Sequence, residues 1–434
     1  MTISPVAYLR CFCVILFLVP AYYVLPGAGA AGSIPTLLGV VAFVWWLLAR
    51  FVFGNRETAE PNPVRWALFG YLAVVMVSWI VGKGRVLAPL ENSQSDRALL
   101  ITLGFAGIAL LAMDGLRTRE QIERMVRVVC ATSMIMVGAA LVEFYLGFDL
   151  ARAIQPPGFA NNFSETELEV RSIFTRPRGT TMHPIELGVV GAGLVPLAYW
   201  ARLTRPDRLR WAVPLAGLGL AAMISLSRSA VLTLAVAGAV MVIAVPWRQR
   251  LRFVLAGAGF VVAVGMVVSG LVGTLRALIS QSGTDPSVQA RVERFPLVME
   301  LVAQHPWFGH GFGTFTIRHG FLLDNEIQNV MITMGLVGLA VLLLFIGFVA
   351  AVAWRTQRRD THERRIAGAA LAALILGLFV SSYTFDASFY QILMNLMYLS
   401  IGMSGALWRV TSVDPAPAAA PALVPAGYRL TTAD

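Results

Sequence analysis

Uninterrupted apolar runs of about twenty residues recur along almost the whole chain. A helix needs about 20 apolar residues to cross the hydrocarbon core of a bilayer, so each run has the length of a transmembrane span. Only 13% of the 434 residues are charged, whereas a soluble protein carries about 25%. These features exclude a cytosolic enzyme, a secreted disulfide scaffold and a disordered chain. They predict an all-α polytopic membrane protein.

We predict about twelve spans, a count that is sound to within one, because the seventh and eighth are separated only by the segment around Arg228. Their approximate cores are 6–26, 33–53, 64–82, 98–113, 125–148, 184–203, 211–227, 229–246, 253–275, 329–354, 366–385 and 389–408.

The distribution of charge predicts the orientation of these spans. The chain has 34 basic residues, of which only Lys83 is a lysine, and most of them fall in the short segments that follow every second span. By the positive-inside rule these segments are cytoplasmic, as are both termini. The net charge of +10 is therefore mostly a topology signal, and nucleic acid is not an expected partner.

This topology places two long polar loops on the extracytoplasmic face, so we expect the chemistry there. Glu165, Glu167 and Glu169 in the first loop either shape the specificity of a site there or are simply solvated. The predicted organisation is helices 1–5 in 1–148, a loop at 149–183, helices 6–9 in 184–275, a loop with an amphipathic helix at 276–328, helices 10–12 in 329–410 and a disordered cytoplasmic tail at 411–434.

Two polar segments near the middle of the chain suit an anionic ligand. Arg176 and Arg178 precede His183 and Pro184, and guanidinium pairs of this kind bind phosphate. The alternative is an arginine cluster that faces lipid headgroups. Arg228 lies among serines between two spans, where burial of a guanidinium is costly unless an anion meets it. The alternative there is a snorkelling arginine at the interface.

The second long loop contains a helix signal and a glycine-rich segment. Thr284-Asp285-Pro286 is a typical helix start, and apolar residues then recur at three- and four-residue steps, which predicts an amphipathic helix carrying Arg291 and Arg294. Pro306-x-x-Gly309-x-Gly311-x-Gly313 follows. Its glycines permit tight turns and close backbone approach to a ligand, or simply a loop whose aromatic residues pack at the interface.

The last polar segment lies directly before the tenth span. One interpretation of Asp324, Asn325 and Glu326 is that they cap that span. The alternative is that one of the two carboxylates, at a low-dielectric boundary, acts as a general base. Glu143, inside the fifth span, is either a structural contact or a functional group. The three cysteines (Cys11, Cys13 and Cys130) lie in apolar runs as small hydrophobic residues, and no cluster has metal-ligand spacing, so we predict no metal.

Taken in order, these segments resemble the O-antigen ligase/polymerase superfamily of bacterial polysaccharide assembly, over residues 170–405. The resemblance rests on four motifs. They are Arg178-Gly-Thr with His183-Pro184 and Glu186-Leu-Gly188; Ser225-x-Ser227-Arg228; Arg291 with the Pro306–Gly313 glycines; and Asp324-Asn325 with Gly335-Leu-Val-Gly338. Where this chain has Asp324-Asn325, ligases of the family usually have His-Asn.

The resemblance implies an integral glycosyltransferase of the bacterial inner membrane, with its active site on the extracytoplasmic face. Such enzymes move a glycan from a polyprenyl-diphosphate carrier, such as undecaprenyl diphosphate, to an acceptor hydroxyl on a glycan, lipid or protein, without nucleotide sugar or cofactor and generally without metal. It implies inverting transfer with Arg228, Arg291 and Asp324 as catalytic residues. Substrate-binding residues are then Arg176, Arg178, His183, Lys83, Arg85, Arg294 and Asn325.

Two questions stay open at the level of sequence. The motifs are shared by polymerases and ligases, so the acceptor is not defined. A transporter or flippase of polyprenyl-linked glycans also fits an even number of spans, but it predicts charges at mid-membrane and repeated halves, and this chain offers mainly Glu143.

Overall fold

The computed structural model describes residues 4–52, 61–162, 170–171, 174–204, 207, 209–268, 270–271, 273–274, 276, 286–315, 323, 325–356 and 366–413. Thirteen α-helices lie within these ranges. They are α1 (Pro5–Leu18), α2 (Ile34–Phe51), α3 (Pro63–Lys83), α4 (Pro89–Gly115), α5 (Arg119–Leu146), α6 (Pro184–Leu203), α7 (Ala212–Ile224), α8 (Arg228–Ala244), α9 (Trp247–Val267), α10 (Pro286–Gln304), α11 (Glu326–Thr356), α12 (Ile366–Ser381) and α13 (Gln391–Val413).

The all-α polytopic class predicted from the sequence is confirmed. Each predicted span overlaps one helix, and α10 is the additional helix of the second long loop. Among the described residues, eight helices are long and apolar enough to cross a membrane, when α12 is counted with the turn that follows it to Thr384, and α1, α7 and α8 are shorter apolar helices. The figure of twelve crossings therefore stays a prediction, as does the orientation of the termini.

Helix boundaries follow local sequence signals. Side-chain oxygens of Ser33, Asn62 and Thr118 accept a hydrogen bond from the first turns of α2, α3 and α5, as expected for N-caps. The first predicted span, 6–26, is too long, because α1 ends at Leu18. Val19 is extended (φ −87°, ψ 121°) before Pro20, and the residue before a proline disfavours the helical region.

Short strands connect distant loops. Tyr23–Val24 (β1) pairs antiparallel with Ala160–Asn161 (β2), which ties the α1–α2 connection to the first long loop. Val170–Arg171 (β3) pairs antiparallel with Phe174–Thr175 (β4). Residues 163–169, including the three glutamates of that loop, lie outside the described residues, as does the tail from 414 onward.

Helices α6 and α12 form the centre of the bundle, and α9 lies at its edge. Within its most apolar stretch of 18 residues, α6 has 83% of its residues buried, whereas α9 has none buried in the corresponding stretch. α12 packs against α6, α8 and α11, while α13 packs against α4. The segment that begins α6 therefore lies at one end of the centre of the bundle.

We call one end of this bundle the site end. It carries the start of α6, the α7–α8 turn, the start of α11 and the connection between α12 and α13, and contacts described below join these segments. The opposite end holds a buried ion pair between Arg65 and Asp114 (2.5 Å), which Trp46 Nε1 joins by donating to Asp114 at 2.7 Å. Arg409 lies 3.9 Å from the same carboxylate.

Candidate functional site

The segment that carries Arg178 is held in place by α5. The backbone N–H groups of Arg178 and Gly179 donate to Glu143 Oε2 at 2.6 and 2.9 Å. Gly179 has φ +59°, and a Cβ there would lie 2.6 Å from the carbonyl oxygen of Met136. Glu143 lies near the end of α5, and its contacts support the structural alternative.

The two arginines of this segment are buried at the site end. The Arg178 guanidinium lies 2.6 Å from Asp149 Oδ2 and 5.6 Å from the centre of the Tyr22 ring. Arg176 Nε donates to the carbonyl of Ser225, the last residue before the α7–α8 turn, at 3.0 Å. Arg176 is therefore anchored within three residues of Arg228.

The start of α6 is joined to the start of α13 through one carboxylate. Glu186 is fully buried; its Oε2 accepts from the Met182 N–H at 2.9 Å, and its Oε1 accepts from the N–H groups of Ile392 and Leu393 at 2.9 and 3.1 Å. A carboxylate at this place satisfies backbone donors of both helix starts and complements their dipoles.

His183 is the N-cap of α6, and its Nδ1 accepts from the Ile185 N–H at 3.1 Å. Its ring centre lies 6.2 Å from that of Tyr390, directly before α13. The predicted ligand-binding histidine is thus engaged in capping through one nitrogen.

Arg228 is the first residue of α8 and is partly buried. The chain reaches it through a tight turn in which Leu226 has φ +49°, a left-handed conformation that is rare for a residue with a side chain. A Cβ on Gly188 would lie 2.1 Å from Ser225 Oγ, so two of the family motifs pack against each other here. The positive end of α8 adds to the charge of Arg228, which favours an anion at this point.

A polar turn between α12 and α13, residues 382–390, connects α8 with α11. Ser229 Oγ and Thr384 Oγ1 are 2.6 Å apart. The Glu326 N–H donates to the Phe385 carbonyl at 3.2 Å, and Glu326 Oε2 accepts from the Ser388 N–H at 2.9 Å. The sequence analysis left only residues 386–388 between the two spans and gave them no role, whereas the helices end at Ser381 and begin again at Gln391.

The glycine-rich segment, residues 305–313, fills a break in α11. At Gly335 the helix departs from helical geometry (φ 68°, ψ −168°). Backbone N–H groups of His310 and Gly311 donate to the carbonyls of Ile332 and Thr333, and those of Leu336 and Val337 donate to Pro306 and Trp307, all at 2.8–3.1 Å. The segment thereby satisfies polar groups that a broken helix exposes in lipid.

The glycines therefore provide close backbone contact with protein, which is a different role from the predicted approach to a ligand. A Cβ on Gly309 would lie 2.3 Å from the Thr333 carbonyl carbon, and one on Gly335 would lie 2.4 Å from the Trp307 oxygen. Gly311 makes the same kind of contact with Gly82 of α3, at 2.4 Å.

Lys83 is the last residue of α3, and Arg85, two residues later, contacts the glycine-rich segment. Lys83 Nζ lies 2.6 Å from Asp96 and 5.3 Å from the centre of the Trp79 ring. Arg85 donates to the carbonyl oxygen of His310 at 2.8 Å. Both cations thus hold the ends of α3 and α4 and the glycine-rich segment, whereas Arg176 and Arg178 bind α5 and α7.

The remaining predicted residues lie on or near α10 and α11. The helix predicted from Thr284-Asp285-Pro286 is present as α10, on which Arg294 is partly buried; the Arg291 side chain is not described. Asn325 caps α11, since its Oδ1 accepts from the Ile327 N–H at 2.9 Å. Asp324 lies outside the described residues.

The described part of the site thus anchors Arg176 to the turn that precedes Arg228 and α8, and it buries Arg178 beside Asp149, while the carboxylates of Glu143 and Glu186 hold the backbone around the start of α6. Such a place can bind and stabilise a phosphate-bearing ligand. The catalytic and binding roles of the individual residues stay predictions.

Comparison with known families covers the same region. A search of curated proteins gave no match. Residues 212–343, which run from the start of α7 past the break in α11, match the model of the O-antigen ligase family. This stretch contains Arg228, Arg291, the glycine-rich segment and Asp324. Residues 212–343 are thus similar to the O-antigen ligase family, and this match supports the resemblance to the O-antigen ligase/polymerase superfamily that the motifs indicated.

Proposed function

We propose that this protein is an inverting glycosyltransferase that moves a glycan from a polyprenyl-diphosphate carrier to an acceptor hydroxyl on the extracytoplasmic face of the inner membrane. The observation that carries the proposal is the match of residues 212–343 to the O-antigen ligase family, in which α8 begins with Arg228 after a turn that the buried Arg176 contacts at Ser225. The reaction belongs to the assembly of cell-surface polysaccharide.

The chemistry requires positive charge at the leaving group. The acceptor oxygen attacks the anomeric carbon, the bond from that carbon to the diphosphate oxygen breaks, and negative charge develops on the carrier diphosphate. Fixed guanidinium groups stabilise such charge without reorganisation. Arg228 and Arg291 take this role in the proposal, and Arg178 and the N-terminus of α8 contribute to the local potential.

The acceptor hydroxyl loses its proton as it attacks, so a base must lie near it. We assign this role to Asp324, which occupies the position of the histidine of related ligases, directly before the cap of α11. If Asp324→Asn kept full turnover with purified donor and acceptor, this assignment would be lost.

A transporter or flippase of polyprenyl-linked glycans is the second candidate. The break in α11 at Gly335 favours it, since discontinuous helices are typical of transporter binding sites. Two observations weigh against it. Residues 305–313 of the chain itself fill the break. Glu143, the candidate for the mid-membrane charge of a transporter, instead binds backbone N–H groups near the end of α5.

The decisive experiment compares wild type with Arg228→Ala and Arg291→Ala in cells that lack the native copy. Arg248→Ala, an exposed arginine on α9, is the matched control. The readouts are surface glycan length on gels and the amount and sidedness of carrier-linked glycan by mass spectrometry.

We expect both site variants to lose surface glycan and to accumulate carrier-linked glycan on the extracytoplasmic side, while the control behaves as wild type. Surface products with a single repeat indicate a polymerase, and complete loss of transfer indicates a ligase. Accumulation on the cytoplasmic side would overturn the proposal in favour of transport.

A further inference from the structure

A groove of about 470 Å³ lies between α8 and α11, away from the site end. Helix α12 packs against both neighbours and contributes Ala372 and Leu376 to the groove. Val240 and Ile243 of α8 form one wall, and the other wall is α11 from Gly347 to Arg355.

Small residues, of the kind usually found where transmembrane helices pack closely, line the walls of the groove. Gly347, Ala350, Ala351 and Ala372 all line it. Small residues let transmembrane helices approach closely, yet here a space is left open. Gly347 is exposed, and a Cβ there would meet no atom within 4 Å. The space suits a narrow apolar occupant.

Cationic and aromatic side chains mark one end of the groove. Trp354 and Arg355 line it at the last turns of α11. At the corresponding end of α8, Arg250 donates to the carbonyls of Ile243 and Val245, both at 3.2 Å. Tryptophan and arginine are typical of the level of the lipid headgroups. The apolar part runs eight residues from Gly347 to Arg355, or about 12 Å along a helix axis.

We propose that this groove binds an anionic phospholipid of the bilayer. One acyl chain lies along Gly347, Ala351 and Leu376, and the phosphate meets Arg355, with Arg250 beside it. Basic pockets between transmembrane helices at the cytoplasmic side are known to hold anionic headgroups. The predicted orientation places this end at the cytoplasmic leaflet, so the site is separate from donor and acceptor.

A second copy of the chain fits the groove less well. In a two-fold dimer about an axis normal to the membrane, Arg355 of each copy would lie at the same depth next to the shared interface. Like charges there oppose association, whereas they favour an anionic headgroup.

The test is retention of lipid by the purified full-length protein, measured by native mass spectrometry after exchange into mixed phosphatidylglycerol and phosphatidylcholine. Gly347→Leu and Ala351→Leu fill the groove, and Arg355→Gln removes the charge. The matched controls are Gly257→Leu, at an open position on α9, and Arg248→Gln. Thermal stability shows that each variant is folded.

We expect wild type to retain phosphatidylglycerol in preference to phosphatidylcholine. Arg355→Gln should lower this preference about fivefold, the effect of one basic residue at an anionic surface. The two leucine variants should lose retained lipid, and the controls should keep it.

Three results would overturn the proposal. The first is equal retention of both lipids by wild type, and the second is unchanged retention in either folded leucine variant. The third is a lipid-free dimer that Gly347→Leu dissociates, which would make the groove an interface between copies. None of these results bears on glycan transfer, which is tested at the site end.

Discussion

Glu186 offers a quantitative test of how the site end is held together. The fully buried carboxylate accepts three backbone hydrogen bonds, from Met182, Ile392 and Leu393, and thereby joins α6 to α13. Glu186→Ala leaves three buried donors without their acceptor. Each such donor costs about 1–3 kcal/mol, so the upper bound on the loss is about 9 kcal/mol.

The net loss is smaller, because removing the carboxylate also removes the cost of its own burial. We therefore expect a loss of about 3 kcal/mol or more in the free energy of unfolding of Glu186→Ala. In Glu186→Gln the carbonyl oxygen still accepts from Ile392 and Leu393, while the amide N–H₂ faces the Met182 N–H. One hydrogen bond is lost, and the expected cost is about 1–3 kcal/mol.

The assay is equilibrium unfolding of the purified protein in mixed micelles with increasing denaturing detergent, followed by tryptophan fluorescence. Glu300→Ala, an exposed carboxylate on α10, is the control and should stay within about 0.5 kcal/mol of wild type. If Glu186→Ala unfolds at the same detergent fraction as wild type, or at a fraction no lower than that of Glu300→Ala, the hydrogen-bond argument is refuted. Alanine and glutamine variants of equal stability would refute the ordering.

Three further predictions use the same assay or transfer activity. In Gly335→Ala a Cβ lies 2.4 Å from the Trp307 oxygen at a residue with φ 68°; backbone strain alone costs about 1–3 kcal/mol, and the clash should raise the loss of stability above that. Gly70→Ala, at an open position on α3, is the control and should not destabilise. Equal stability of the two variants would contradict the role of the break. Asp114→Ala leaves buried Arg65 without its carboxylate and should cost about 3–5 kcal/mol, and a loss below 1 kcal/mol would show that the pair is dispensable. Glu143→Ala removes the acceptor of two buried N–H groups and should lower stability and transfer together; a loss of transfer at unchanged stability would instead indicate a direct role.

The class of the protein and the local form of its helices were predictable from the sequence. Span length depends only on bilayer thickness, so runs of apolar residues locate the helices. Caps such as Asn62 and Thr118 act within three residues, and the amphipathic α10 follows from its own periodicity. The ordered motifs around Arg228 and the glycines were enough to indicate the family that residues 212–343 match.

Some local signals were read incompletely. Pro20 ends α1 earlier than its apolar run suggests, because the backbone before a proline leaves the helical region. The polar run before Tyr390 was visible as sequence, yet its contacts with Ser229 and Glu326 depend on how α8, α11 and α12 pack.

Only the tertiary structure decided what the motif residues touch. Gly309 and Gly335 are 26 positions apart and belong to one contact, and Glu186 binds backbone groups more than 200 positions later. In lipid there is little hydrophobic force between helices, so association depends on close approach and on satisfied polar groups. Both are properties of two surfaces together, which no single segment of sequence contains, whereas the apolar length that makes a span is a property of one segment alone.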